Sequence, residues 1–260
     1  MKVVILCGGY GTRIRDVADD IPKPMIPVGG LPILWHVMKY YAHRGHKEFV
    51  LCLGYKGQAV TDFFLNYEAH TRDFTLHLGA ARAVEYHSVH AEADWRVTLA
   101  DTGLDAMTGA RIRRVRKYVA DQDNFMLTYG DGVGDIDLDK LAQFLMSHGT
   151  ALTVTGVRPP GRFGELMSNG DGVVTEFNEK PQATGGRISG GFFVCNKRVF
   201  DYLDDHEGLV FEQEPMRRLV ADQQMMVYEH DGFWQPMDTY RDHMLLNRMV
   251  EDKRAPWVVW

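Results

Sequence analysis

Met1-Lys2-Val3-Val4-Ile5-Leu6-Cys7-Gly8-Gly9-Tyr10-Gly11-Thr12-Arg13 is the stretch on which the fold turns. Its first part, up to Cys7, reads as a short apolar strand of the kind buried inside a sheet covered on both faces. Gly8 ends that run. In open α/β sheets the carboxyl ends of strands face the ligand crevice, so a loop leaving the first strand is well placed to meet a ligand. Three glycines let the main chain approach a phosphate closely and leave N–H groups free to donate. Thr12 adds a hydroxyl, and Arg13 a fork of donors for phosphate oxygens. A tight turn beside an exposed arginine is the plainer reading of the same residues.

Outward from this loop, strand and helix patterns alternate. Pro32 opens a helix in which Ile33, Leu34, Val37, Met38 and Tyr41 recur at helical spacing, and Gly45 stops it. Glu48–Leu53 is a second apolar strand, and residues 57–67 are predicted helical. Phe74–Leu78, Val84–Val89 and Arg96–Leu99 are strand-like. A helix over Arg111–Val119 leads to a strand at Asn124–Tyr129, which stops at Gly130-Asp131-Gly132. Further helices are predicted at Leu138–His148 and near residues 197–204, 214–222 and 239–252. Further strands are predicted at Ala151–Val157, Val173–Phe177, Gly190–Cys195 and Met225–His230. With no low-complexity linker and no solenoid repeat, this order describes one α/β domain with a mostly parallel sheet.

The bulk numbers agree and narrow the class. A chain of 260 residues can bury a core without staples, and 45% hydrophobic with 25% charged residues is ordinary for a globular protein. A net charge of -6 argues against nucleic acid or an acidic membrane surface as partner, while leaving room for small anions that respond to local field. Cys7, Cys52 and Cys195 lie in the apolar runs VVILC, FVLCL and GFFVC and read as reduced, packed thiols of a cytoplasmic protein. No apolar stretch approaches the ~20 residues of a membrane span. The run Val3–Cys7 is too short for a signal-peptide core, so the mature chain is expected to begin near Met1.

The loop matches no common phosphate device. A dinucleotide fingerprint needs glycine where Ile14 stands, and the Gly-Lys-Ser/Thr ending of a P-loop is absent. Lys23 is either a solvated lysine between turn prolines or a cation on a segment stiffened by Pro22 and Pro24, which lowers the entropy lost on meeting an anion. Asp131, between two glycines, is either a turn aspartate or a carboxylate reaching the crevice. Asp238, in Trp234-Gln235-Pro236-Met237-Asp238-Thr239, is either a helix N-cap or a site residue. A calcium loop through Asp131, Asp135 and Asp137 fails because Ile136 occupies its glycine position. No HExxH or CxxC arrangement exists for zinc.

LCGGYGTR at Leu6–Arg13, followed by Pro22-Lys23-Pro24-Met25, resembles the signature of the sugar-1-phosphate nucleotidylyltransferases. The likeness continues through Gly130-Asp131-Gly132, Glu179-Lys180-Pro181 and Gly190-Gly191-Phe192. The segments ILWHVMKYY, GYKGQAV, DTGLDAMTGARI, PPGRFGEL, FEQEP, GFWQPMDTYRD and APW are similar to the cytidylyl branch in particular. The resemblance spans the whole chain. It implies a single-domain, Rossmann-like, three-layer αβα nucleotidyltransferase fold with a mixed, mostly parallel central sheet. Nucleotide-binding elements would fall mainly in 1–135, sugar-phosphate elements in 136–240, and a C-terminal helix and tail in 239–260.

It also implies the chemistry: attack of a sugar 1-phosphate, glucose 1-phosphate foremost, on the α-phosphorus of CTP, with Mg2+ as cofactor. By that likeness Asp131 and Asp238 hold the metal, Arg13 the β and γ phosphates, and Lys23 the charge around the α-phosphate. Leu6, Gly8, Gly9, Gly11, Thr12, Gly109, Arg111 and Gly130 contact the nucleotide. Glu179, Lys180, Ser189, Gly190 and Gly191 take the sugar phosphate. Ser189 departs from the asparagine usual in the family, which offers more donors on a longer arm. The residues alone do not choose CTP over UTP, dTTP or GTP, nor one sugar over another, and a sensor that kept the fold without catalysis is the rival class. The resembled enzymes are homo-oligomers, hexamers among them, and the tail Trp257–Trp260 is expected to be exposed and to dock on a neighbouring subunit. Trp35 and Met38 are expected in the core, and Trp234 either there or at the site.

Overall fold

Val3–Leu6 (β1) is buried along its whole length. Val3 and Ile5 pack into one core cluster, and Val4 and Leu6 into another on the opposite face. A strand covered on both sides has no solvent face to mark with polar residues, which is why it reads as an unbroken apolar run. The same holds for Glu48–Leu53 (β2) and Asn124–Tyr129 (β4), whose interior residues are buried. The structure is a computed structural model that describes residues 1–9, 21–79, 83–159, 165–169, 173–178 and 186–260.

Among the described residues, seven strands form the central sheet in the order β7-β5-β6-β4-β1-β2-β3, where β3 is Arg96–Asp101, β5 Leu152–Val157, β6 Ile188–Asn196 and β7 Met225–His230. β1 runs parallel to β2 and β4, β2 to β3, and β5 to β7. β6 alone is reversed, antiparallel to both β4 and β5. Opposite Leu6 at the end of β1 stand Cys52 of β2 and Tyr129 of β4, so the parallel strands finish level along one edge.

Helices cover both faces. Ile33–His43 (α1), Gly57–Leu65 (α2), Leu138–His148 (α4) and Tyr240–Glu251 (α6) contribute residues to the first cluster. Thr108–Arg114 (α3) and Glu214–Ala221 (α5) contribute to the second. The result is a three-layer αβα fold with a mixed, mostly parallel sheet. Trp35 and Met38 of α1 are buried as the helical spacing predicts.

Several expected elements shift for local reasons. Pro32 stands at the N-cap of α1 rather than inside its first turn, its ψ of 142° keeping it extended while Leu31–Pro32 pairs with Pro27–Val28. The helix expected over residues 57–67 ends at Leu65, and a short second helix, Tyr67–Thr71, follows. The one expected at Arg111–Val119 begins earlier, at Thr108, and breaks at Val115. Phe74–His77 and Ala83–Tyr86 pair with each other outside the main sheet, leaving Phe74, Leu76 and Val84 exposed. In the tail, Val258, Val259 and Trp260 are exposed as expected, but Trp257 is not. Trp257 is fully buried, its ring stacked on Phe233 and its Nε1–H donating to His36 Nδ1 at 3.3 Å, while Trp260 lies edge-on to Trp35. Only the Trp257 ring is withdrawn, packed between Phe233 and His36 of α1.

Candidate active site

A two-strand ribbon assembles the acidic pair. Gly132–Gly134, just beyond β4, pairs antiparallel with Trp234–Pro236, with Gly132 opposite Pro236. The Met237 N–H then donates to the Asp131 carbonyl at 2.9 Å, so Asp131 and Asp238 leave the ribbon side by side. Lys23 completes the cluster from a short 3-10 turn, Lys23–Met25, entered from extended Pro22 and closed by the Met25 N–H donating to the Pro22 carbonyl at 2.8 Å. Its Nζ lies 2.6 Å from Asp131 Oδ2 and 2.6 Å from Asp238 Oδ1.

Burial by itself lowers the lysine pKa, but Asp131 foremost, with Asp238, outweighs it and holds Lys23 above the ordinary lysine value. The ammonium is therefore charged at neutral pH. Asp238 is free to meet it because it does not cap α6. Thr239 is the N-cap: its Oγ1 accepts from the Asp242 N–H at 3.2 Å, and Asp242 Oδ2 accepts from the Thr239 N–H at 2.8 Å.

These three side chains lie at a cavity of about 390 Å³ lined also by Leu6, Cys7, Gly8, Gly9, Pro24, Asp105–Thr108, Arg111 and Tyr129. The Arg111 side chain is one of its structural supports. Arg111 is only 4% exposed, and its guanidinium donates to the carbonyls of Leu53, Gly103, Leu104 and Gly8 and to Thr102 Oγ1, at 2.7–3.1 Å. A Cβ on Gly8 would sit 2.4 Å from Arg111 Cζ, so only glycine lets the turn after β1 close over this cation. The Cys7 thiol at the cavity wall is pushed well up by burial, with Cys52 and Asp131 adding to the effect, and is a protonated packing group. Cys52 and Cys195 are buried as well.

On the outer side, Tyr129 at the end of β4 donates its hydroxyl to Glu212 Oε1, and Thr108 Oγ1 donates to Glu212 Oε2 at 2.6 Å. Burial, and next the Glu212 carboxylate, raise the Tyr129 pKa, keeping the phenol protonated. Behind the ring is Gly191, with φ of +75° and no room for a Cβ, which would approach Tyr129 Cδ2 to 2.4 Å.

Of the residues singled out from sequence, Leu6, Gly8, Gly9, Lys23, Arg111, Asp131 and Asp238 meet around this one cavity. Gly130 lies just beneath, its N–H donating to the Leu6 carbonyl at 3.1 Å. Gly109 is turned away: its N–H donates to the Leu209 carbonyl at 2.9 Å, and a Cβ there would meet the Leu209 side chain. Ser189, Gly190 and Gly191 open β6 beside Tyr129. Ser189 Oγ accepts from the Gly191 N–H at 3.4 Å, and the Gly190 carbonyl accepts from Trp234 Nε1 at 2.7 Å, which gives Trp234 its place as a strut between ribbon and β6. Gly11, Thr12, Arg13, Glu179 and Lys180 lie outside the described residues. The segment DTGLDAMTGARI, quoted for the family resemblance, supplies Asp105–Thr108 to the cavity wall, whereas sequence reading did not single out Tyr129 or Glu212. The available signals were the position of Tyr129 at the end of a buried strand and the FEQEP segment.

Residues 2–252 match the family model described as Nucleotidyl transferase. Over 260 residues, all of both chains, the sequence is 46% identical to the glucose-1-phosphate cytidylyltransferase of Salmonella typhimurium. It is 42% identical, again over all of both chains, to a protein of Bacillus subtilis named probable glucose-1-phosphate cytidylyltransferase. The crystal structure of HddC from Yersinia pseudotuberculosis shares the fold, with a TM-score of 0.66 at 22% identity over 96% of this chain and 99% of that one.

Proposed function

The chain belongs to the nucleotidyl transferase family, and from that premise we propose that it transfers the cytidylyl group of CTP to α-D-glucose 1-phosphate, yielding CDP-glucose and pyrophosphate. The full-length likeness to named cytidylyltransferases supports the choice of substrates. The observation that carries the chemistry is the convergence of Lys23, Asp131 and Asp238 at a cavity walled by the Gly8-Gly9 turn.

In the proposed reaction a phosphate oxygen of glucose 1-phosphate attacks the α-phosphorus in line. The bond from that phosphorus to the bridging oxygen breaks, and pyrophosphate leaves with the electron pair. The nucleophile is already an anion, so no general base is required. The obstacle is repulsion between two anions and charge growing on the leaving group, which positioning and fixed charge relieve. Lys23 supplies a permanent positive charge for the α-phosphate, and Arg13 is assigned to the β and γ oxygens. Leu6, Gly8 and Gly9, with Asp105–Thr108, are assigned to the nucleoside. Glu179, Lys180, Ser189, Gly190 and Gly191 are assigned to the sugar phosphate.

Mg2+ is the cofactor of this reading. Two carboxylate oxygens already face one cation, the ammonium of Lys23, and magnesium favours such hard oxygen donors completed by phosphate and water. Among the described residues no group of three or more histidine, cysteine, aspartate or glutamate side chains could hold a metal by itself, so the donor set suits an ion shared with substrate. Bound there, magnesium would neutralise phosphate charge. Asp131 and Asp238 would be its protein ligands.

The same proposal includes a cytoplasmic homo-oligomer, a hexamer among the candidates, which sedimentation of the purified protein tests. No helix among the described residues is long and apolar enough to cross a membrane. The substrate assignment is tested by offering glucose 1-phosphate with equimolar CTP, UTP, dTTP and ATP and separating the products. CDP-glucose is expected to dominate, and preferential use of dTTP would overturn the reading.

A further inference from the structure

Glu212 is exposed, yet both of its oxygens are engaged, each by a hydroxyl that itself lines the cavity: Tyr129 on one side and Thr108 on the other. A lone carboxylate at a surface gains little from its contacts because water competes for it. Here its neighbours hold it in place. Phe211 is fully buried, and Pro215 is buried in the first turn of α5. The Phe211 N–H also donates to Thr108 Oγ1 at 2.9 Å.

The two partners belong to different halves of the cavity. Thr108 begins α3, and the wall around it is clamped from the same segment: the Met107 N–H donates to the Glu207 carbonyl, and the Gly109 and Ala110 N–H groups to that of Leu209. This is the side on which Arg111 supports the Gly8 turn. Tyr129 ends β4, and its ring packs against the Gly191 backbone at the start of β6. One carboxylate thus ties the wall beside the glycine turn to the edge formed by Ser189–Gly191.

Resting on the proposed reaction, we infer that Glu212 is a positioning residue. Acting through Thr108 and Tyr129, it sets the separation between the nucleotide side and the acceptor side of the cavity. In-line transfer is sensitive to that separation, since displacements of about 1 Å cost up to about 100-fold in rate.

The test is a double-mutant cycle of wild type, Glu212→Ala, Tyr129→Phe and the double variant. It reads kcat, KM for each substrate and the thermal midpoint. Tyr129→Phe removes only the hydroxyl and reads the tie from its other end should Glu212→Ala prove unstable. We expect each single variant to lower kcat about 10-fold with the nucleotide KM within about threefold of wild type, and the double variant to be no worse than the poorer single. Losses that multiply in the double variant, or a kcat within about twofold of wild type in either single variant, would overturn the inference. A drop in thermal midpoint with kcat unchanged would reduce Glu212 to a stabilising contact and would overturn it equally. An error in the proposed nucleotide or sugar shows in the wild type alone, whereas an error about Glu212 shows in the ratios of variant to wild type.

Discussion

Lys23 answers two carboxylates at once, and its removal is informative for that reason. In the ligand-free site the ammonium is the cation between Asp131 and Asp238, and on the proposed reaction its loss would also take a fixed counter-charge from the α-phosphate. Lys23→Ala should lower turnover by about 10²–10³-fold, the scale on which a single transition-state donor acts, while the circular dichroism spectrum stays that of the folded protein. Pyrophosphate release measures it, and near-normal release would remove Lys23 from the chemistry. Lys23 and Asp131 were marked in the sequence by flanking prolines and glycines that constrain the backbone, but a solvated lysine and a turn aspartate fit those neighbours equally, and the family resemblance singled them out. Asp238 was open in the same way, since an aspartate before a helix is a good cap. The ambiguity is resolved by Thr239 and Asp242 capping each other, a pairing visible only once the helix start is placed. Glu212 was not legible, because its two partners lie far away in the chain and no local pattern links them.

The elements follow the same logic. Asn124–Tyr129, Leu138–His148 and Met225–His230 lie where their sequence patterns put them. α4 is bounded by Asp137, which accepts from the Lys140 N–H, and by Gly149 in the left-handed region. Elements whose ends depend on tertiary contacts moved: α3 starts early because its first residues are pinned to the Glu207 and Leu209 carbonyls. At this scale the start of α6 is the sensitive point, since its capping box also fixes the backbone that carries Asp238. Thr239→Ala should cost about 1 kcal/mol of stability in urea denaturation. It should also weaken the magnesium response, read as a higher metal concentration for half-maximal rate. An unchanged urea midpoint would mean that the box contributes nothing to the folded state.

For the molecule as a whole, three histidines bind the fold to pH: His148 is held below the ordinary value by burial, as are His36 and His46. His36 is held below the ordinary histidine value by burial, beneath Trp257 and against the Val28 carbonyl. His46 is lowered to about 4 by burial and by the charge of the adjacent N-terminus. An unfolded chain takes up these protons near pH ~6.5, whereas the folded one resists them. Stability is therefore complete above that pH and falls as pH drops through the range between the two values. Urea midpoints should decline from pH 7 to pH 5, and the decline should flatten in His46→Asn; a flat profile in the parent protein would contradict the assignment. Trp257 alone was misplaced by sequence: it reads as part of an exposed aromatic tail, and only the apolar hollow beside α1 and Phe233 explains its burial.

β6 runs against the grain of the sheet, and so it presents its beginning where β1, β2 and β4 present their ends. Chain entering β6 and chain leaving its neighbours consequently share one rim while belonging to separate connections. On the proposed assignment of the acceptor to Ser189–Gly191, a change of acceptor would fall on chain entering β6 and leave the strands that carry the glycine turn and Asp131 paired as they are.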